Sequence, residues 1–421
     1  MVTAPLGSLI LLLAWLVFVL YSVSILTWLG QVFVLGRNQL VSEEELAYDH
    51  EDVQVRILTI GAEAVVQATV DSVPDEVKDV HVIAERDIDI DGATVHVVPE
   101  EFECTARHKG RALEWARRHV PCTREFVLYL DEDTIVQNFR GLPDADIVQI
   151  TEKPLFTGSW LAFFAETFRI GYQYEQRSFG WFNYPLYAWG GGIAIRKSLE
   201  DELTWDAETI TEDTNFVWRA AESRDLDFRV LNLKFRNQAP PSIRGMFRQR
   251  RRWFAGTQHS TGLLPARYKL LFAFRMFTWA LSPLIPLLSL VLFAFPQFVP
   301  EPAYYQIGSL TLFATLFFIT LLGTVVYLPR ERITLLAIPL TPLVVVLNTA
   351  GALWALVSPV HTFAVTEKVA PVTEHVDPEI IEQVHPQLED GAFSGHDGAG
   401  RLITDGGEDI ATDGDETGDD D

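Results

Sequence analysis

The pattern of hydrophobic and polar positions divides the chain into segments of different kinds. Residues 6–35 contain no charged side chain. About 20 apolar residues cross the hydrocarbon core of a bilayer, so residues 1–36 predict an N-terminal transmembrane helix with length to spare for tilt. The segment lacks the basic start, short apolar core and cleavage site of a signal peptide, and so reads as an anchor. Between residues 52 and 265 the apolar residues come in short runs: VRILTI (55–60), VHVIA (80–84), VHVV (95–98), FVLYL (126–130) and DIVQI (146–150). These runs predict strands, and KGRALEWARRHV (109–120) predicts a helix among them. Alternating strands and helices imply an α/β domain with a mostly parallel sheet, whose function lies beyond the carboxyl ends of its strands.

The region 266–360 is apolar again. Arg275 lies near its start, and Pro283 and Pro286 lie inside the first hydrophobic stretch. The expected arrangement is an interfacial helix running into a span at about 279–298, followed by a second span at about 305–328. The stretch 333–358 is interrupted by Pro339, Pro342 and Gly351, which leaves a further span and a re-entrant or interfacial element both open. Arg residues at 244–252 and at 330 and 332 flank these segments. By the positive-inside rule the α/β domain is cytoplasmic and Met1 is outside. A span at 333–358 would put residues 361–421 outside; an interfacial element would keep them on the side of the α/β domain.

Composition changes this picture in one respect. The net charge is −24, from 33 Lys and Arg against 57 Asp and Glu. Residues 374–421 hold 16 acidic residues and one Arg, a net of −15, and predict a disordered tail. The remaining −9 belongs to the rest of the chain, so the body is only mildly acidic. A net charge this negative argues against a nucleic-acid partner, because phosphate attraction needs a basic face. Only 7 of the 33 basic residues are Lys, a surface suited to high salt and hence to a halophilic source. Cys104 and Cys122 are too few for a zinc site or a disulfide framework.

Four short constellations carry candidate chemistry. Asp131-Glu132-Asp133-Thr134 follows the strand FVLYL directly. Two carboxylates at i and i+2 beyond a strand end can hold Mg²⁺ or Mn²⁺ with a diphosphate on it; the alternative is a solvated acidic turn. Thr211-Glu212-Asp213-Thr214 opens the helical pattern NFVWRAAE. It reads either as a helix cap with acidic first-turn residues or as a general base. Gln249-Arg250-Arg251-Arg252-Trp253 is either a basic helix on anionic lipid or an Arg group for a leaving diphosphate beside a Trp platform for a sugar. Phe363-Ala364-Val365-Thr366-Glu367-Lys368 says little alone. A strand followed by D-x-D-x also fits haloacid-dehalogenase phosphatases, but Ile135 and Val136 follow Thr134 with no nearby Gly, against that pattern.

In order and context these motifs resemble the membrane-embedded family 2 glycosyltransferases over roughly residues 53–368. That family's D-x-D, T/E-E-D and Q-x-x-R-W appear as Asp131/Asp133, Glu212/Asp213 and Gln249/Arg252/Trp253. Phe363, Val365, Thr366 and Lys368 resemble the gating loop F-x-V-T-x-K of cellulose synthases, within residues 361–373. VRILTIGAE, VPEEF, LDEDT and QRRRW followed by RYKL are similar to Egghead-type β-mannosyltransferases. The resemblance implies a GT-A domain, Rossmann-like with a mostly parallel sheet, over residues 52–265 and embedded between transmembrane helices. It implies inverting transfer from a nucleotide-diphosphate sugar, GDP-mannose or UDP-hexose, to a lipid or glycan acceptor among membrane lipids, with Mg²⁺ or Mn²⁺ on Asp131 and Asp133. By the same resemblance Asp213, with Glu212, is expected to carry the catalysis. Thr59, Glu63, Glu85, Lys109, Asp131 and Arg252 are expected to face the donor, with Glu85 standing where the family has Asp, and Trp253, Gly191, Gly192 and Gln249 to face the acceptor. The other classes open to the chain are a membrane-bound metal-dependent phosphatase or phosphotransferase and an inert membrane scaffold.

Overall fold

The computed structural model describes residues 4–298, 301–328, 332–358, 360, 368–369 and 402–403. Phe363, Val365 and Thr366 of the gating-like motif lie outside these residues, as does nearly all of the acidic tail. An eight-stranded sheet forms the body: β1 (Leu40–Val41), β2 (Val53–Thr59), β3 (Asp79–Ala84), β4 (Thr94–Val97), β5 (Phe126–Asp131), β6 (Ile147–Leu155), β7 (Ile193–Arg196) and β8 (Phe228–Gln238). Their spatial order is β1-β8-β6-β7-β5-β2-β3-β4. Every neighbouring pair is parallel except β7, which runs antiparallel between β5 and β6. The fold is therefore the expected α/β arrangement with a mostly parallel sheet. All seven residues of β2 are buried, as strands covered on both faces require.

Helices α2 (Glu63–Asp71), α3 (Lys109–His119), α5 (Lys197–Leu203) and α6 (Glu212–Ser223) surround this sheet. One apolar core joins Leu113 and Ala116 of α3 to Phe216 and Trp218 of α6, and a second joins Val66 and Val70 of α2 to the opposite face. Two elements absent from the sequence reading complete the body. β8 occupies the sheet beside β6, with a register shift between Ile150 and Thr151. α4 (Trp160–Gln173) leads from β6 into the apolar helices. β1 also joins the sheet ahead of residue 52, where the sequence placed the start of the domain.

Helix α1 (Ala4–Gly30) continues through a wide turn at Gln31–Leu35, and α10 (Pro302–Leu322) continues to Tyr327. These are the two helices, among the described residues, long and apolar enough to cross a membrane. The span expected at about 279–298 falls on a bent pair of helices, long and apolar enough to cross only if the two count as one span. α8 (Ala266–Leu281) and α9 (Leu284–Ala294) meet at 50° around Ser282-Pro283, and α9 alone is too short to cross. α7 (Ile243–Ser260) carries the QRRRW segment, and α11 (Thr341–Val357) lies along it. Thr341 near one end of α11 meets Thr320 through their hydroxyls at 2.8 Å. At the other end the Ser358 carbonyl accepts from Arg251 of α7 at 2.7 Å.

Where α4 crosses α10 the backbones touch. A Cβ on Gly171 would overlap the carbonyl oxygen of Ile319, and one on Gly323 would overlap that of Thr167. Gly171→Ala is expected to lower stability by about 2 kcal/mol, the usual cost of overpacking a close contact. Thermal melts in detergent check this against Gly262→Ala, where an added methyl meets no atom.

Candidate active site

The site assembles where β2, β5 and β8 end. β5 delivers Asp131, and Glu132 and Asp133 follow it. The three carboxylates have different surroundings. Glu132 is turned into the body, where its carboxylate accepts from the Thr59 hydroxyl at 2.7 Å and its carbonyl from the Thr69 hydroxyl at 2.6 Å. Thr59 in turn accepts from the backbone amides of Gly61 and Ala62. Thr59 thus braces the D-x-D turn. Asp131 faces the cavity, with Oδ1 at 2.6 Å from Nζ of Lys109, the first residue of α3. Asp133 is 3 % exposed. Its Oδ2 accepts from the backbone amide of Gln238 at 2.9 Å, and Nζ of Lys368 lies 2.5 Å from Oδ1.

Lys109 links the first motif to the second, for its Nζ also lies 3.9 Å from Asp213. Thr211 stands at the N-cap position of α6 with Glu212 and Asp213 in its first turn, as the capping reading has it, but the Thr211 side chain makes no cap hydrogen bond and its hydroxyl has no partner. The backbone of Gly190 hydrogen-bonds Asp213. A Cβ at Gly190 would meet the Lys109 ammonium and come within 3.0 Å of Asp213, so any larger residue there displaces the lysine tip from between the two carboxylates. Burial raises Asp213 above the ordinary carboxylate range, although Lys109 pulls against it. Asp131 is held below that range because Lys109 and Lys368 outweigh its burial.

Glu212 is pushed up to about 7, first by burial and then by the charge of Asp213. The folded chain thus retains a proton that an unfolded carboxylate releases near its ordinary 4.5. This stabilisation is complete below that lower value and disappears as pH climbs through the higher one. Thermal stability is therefore expected to fall between about pH 5 and pH 8, and Glu212→Gln to flatten that fall. Melting curves across the window check both.

The three arginines of QRRRW point to three different places. Arg250 is fully buried, paired with Glu166 of α4 and donating to Asn348 of α11 at 3.2 Å. Arg251 holds the end of α11. Arg252 lines the cavity, close enough to Glu212 and Asp131 to feel their charge. Trp253 lies between two cations, with Arg250 4.3 Å and Arg169 5.6 Å from its ring. Arg169 is itself paired with Glu152 and Glu166. Arg244 and Arg248 remain exposed, so one helix carries both a cavity-facing and an outward basic side.

One cavity of about 680 Å³ gathers these groups. Thr59, Glu85, Lys109, Asp131, Asp133, Gly191, Glu212, Asp213, Gln249, Arg252, Trp253 and Lys368 all line it. Two residues expected in the site do not. Glu63 opens α2 with its side chain exposed. Gly192 faces the interior, where a Cβ would press on Phe235 and Ile150; it serves packing rather than approach of an acceptor. Glu85 is fixed by Arg111 at 2.8 Å. The sequence reading missed Gln238, whose side chain grips the backbone of Val369 by two hydrogen bonds, 2.6 and 2.9 Å, and so holds Lys368 at Asp133. It also missed Glu166 and Arg169, whose signal is an i, i+3 charge pair inside an otherwise apolar, aromatic helix.

Among the described residues no group of three or more His, Cys, Asp or Glu forms a ready-made metal cage. Asp131 and Asp133 are hard oxygen donors of the kind that Mg²⁺ and Mn²⁺ take together with substrate phosphates. In this structure Lys109 and Lys368 balance their charge.

Comparison with known proteins agrees on the family. The chain is 25 % identical over 314 residues to beta-1,4-mannosyltransferase egh of Drosophila melanogaster, covering 66 % of this chain and 67 % of that one. Among solved structures it is similar to the mannosyltransferase PcManGT from Pyrobaculum calidifontis in complex with GDP-Man and Mn²⁺, at 15 % identity, 83 % and 99 % coverage and a TM-score of 0.46. It is also similar to glucosyl-3-phosphoglycerate synthase from Mycobacterium tuberculosis, at 15 % identity, 51 % and 81 % coverage and a TM-score of 0.32. The family model for glycosyl transferase family group 2 matches residues 126–348, more than half of the chain and the part that runs from the D-x-D strand through QRRRW into α11. The chain belongs to that family and is a glycosyltransferase.

Proposed function

We propose that the enzyme moves a sugar from a nucleotide-diphosphate donor to a membrane-associated acceptor, with inversion at the anomeric carbon. The observation that carries this reading is the placement of Asp213 and Asp131 on either side of Lys109 in one cavity. A proton acceptor then stands next to a diphosphate-holding end. Asp213 takes the proton from an acceptor hydroxyl, and that oxygen attacks the anomeric carbon. The carbon–oxygen bond to the diphosphate breaks with its electron pair leaving on the phosphate. A single displacement needs no covalent enzyme intermediate. Lys109, Lys368 and Arg252 offset the charge that gathers on the departing group. A Mg²⁺ or Mn²⁺ on Asp131 and Asp133, when bound, adds further charge stabilisation to the diphosphate.

The relative's name supports mannose as the sugar, with GDP-mannose as the first donor to test and UDP-hexoses as the second. Tyr21 of α1 and Ser282 at the α8–α9 bend line the same cavity as Asp213, which supports an acceptor presented from the membrane. α11 is shorter than the two candidate spans and lies along α7, which supports an interfacial rather than a spanning α11. Lys368 then stays on the cytoplasmic side with the domain. The deciding experiment is a donor screen on purified membranes, with mass spectrometry of the product. Transfer of a hexose from GDP-mannose or a UDP-hexose to a lipid or glycan is expected. Turnover that yields only free phosphate would favour a phosphatase instead.

A further inference from the structure

The cavity extends well past the groups that transfer needs. Trp189 precedes Gly190, which touches Asp213, and its ring stacks on Tyr187 with centroids 6.0 Å apart and planes at 27°. The Tyr187 hydroxyl donates to Glu175 at 3.3 Å, and Glu175 is paired with Arg275 of α8. A continuous track of side chains thus leads from the reacting carboxylate toward the apolar helices. Two polar atoms along it have no partner: the indole Nε1 of Trp189 and Oε1 of Gln173, a residue 9 % exposed at the end of α4. Buried polar atoms are nearly always satisfied, so two orphans on one cavity point to a ligand that supplies their hydrogen bonds. One is a donor and the other an acceptor, and the hydroxyls of a sugar ring serve both. The Tyr187 and Trp189 rings offer flat apolar surface for its carbon face. Glu175 and Arg275 neutralise each other, so the track presents no net charge to a phosphate.

We propose that Gln173, Tyr187 and Trp189 form a second sugar subsite, which holds the neutral ring next to the one that receives the transferred sugar. This inference rests on the transfer reading above and deepens it: the preferred acceptor carries at least two sugar rings. The test uses the full chain in nanodiscs. Its probes are methyl glucoside, galactoside and mannoside against the matching β-linked methyl disaccharides. At least one disaccharide is expected to bind about tenfold tighter than its one-ring partner. Trp189→Phe, which keeps the ring and removes the N–H, and Gln173→Leu are each expected to bring that advantage below about threefold. Binding of the one-ring probe and of Mn²⁺-nucleotide should be unchanged, which also reports that each variant is folded. Equal binding of one- and two-ring probes, no binding of any probe, or a parallel loss of both would overturn the subsite. Hexose transfer in the donor screen without two-ring preference defeats this inference alone. Two-ring preference without transfer from any donor defeats the transfer reading and leaves the subsite standing.

Discussion

Asp213→Asn is expected to lower sugar transfer by at least about a thousandfold and to leave the affinity for the nucleotide sugar within about threefold of the native enzyme. The amide keeps the shape of the carboxylate, and Lys109 keeps Asp131 as its closer partner, 2.6 Å against 3.9 Å. Only the capacity to take a proton is lost. Product formation from labelled donor, beside a donor-binding isotherm, checks both halves, and near-native turnover would remove Asp213 from the role of base. The pH profile separates it from its neighbour. Burial pushes Glu212 up to about 7, so a rate that rose with proton loss near neutrality and lost that limb in Glu212→Gln would transfer the role to Glu212. The rising limb is expected instead to survive in Glu212→Gln.

Asp133→Ala is expected to weaken Mn²⁺-dependent donor binding by about a hundredfold, roughly 2.7 kcal/mol, and to abolish the response to added metal. Two losses combine. One hard oxygen ligand goes, and Lys368 is left without the carboxylate that fixes it. Asp133→Asn is the instructive companion, because it retains an oxygen for the Gln238 amide while removing the charge. Titrations of donor with Mn²⁺ and with chelator read the effect. Donor affinity indifferent both to metal and to these changes would rule out the metal role.

The difference in what could be read from sequence comes from how each part is built. β2, β3, β5 and α3 were legible because burial on both faces, or a strong apolar stripe, writes a period into the residues. β8 was not: its register shifts against β6 and its exposed and buried positions do not alternate cleanly, as FRVLNLKFRNQ and its burial show. The carboxylates of the site were legible because metal and proton chemistry demand particular side chains at strand and helix ends. The residues that brace the walls around them were not. Glu152, Glu166, Arg169 and Gln238 act through contacts that exist only once α4 and β8 are packed. QRRRW shows the same limit at closer range. Successive residues on a helix point about 100° apart, so three identical letters serve three different neighbours.

The glycine crossing of α4 and α10 has a consequence for how the acceptor is chosen. α4 runs straight out of β6, and it meets α10 with backbone against backbone. With α10 in a bilayer, no side chain intervenes at that crossing to yield between the sheet and the lipid. On the transfer reading proposed above, the crossing sets the height of Asp213 over the membrane. The protein is then expected to act as a ruler, favouring acceptors whose head group presents its hydroxyl at that height.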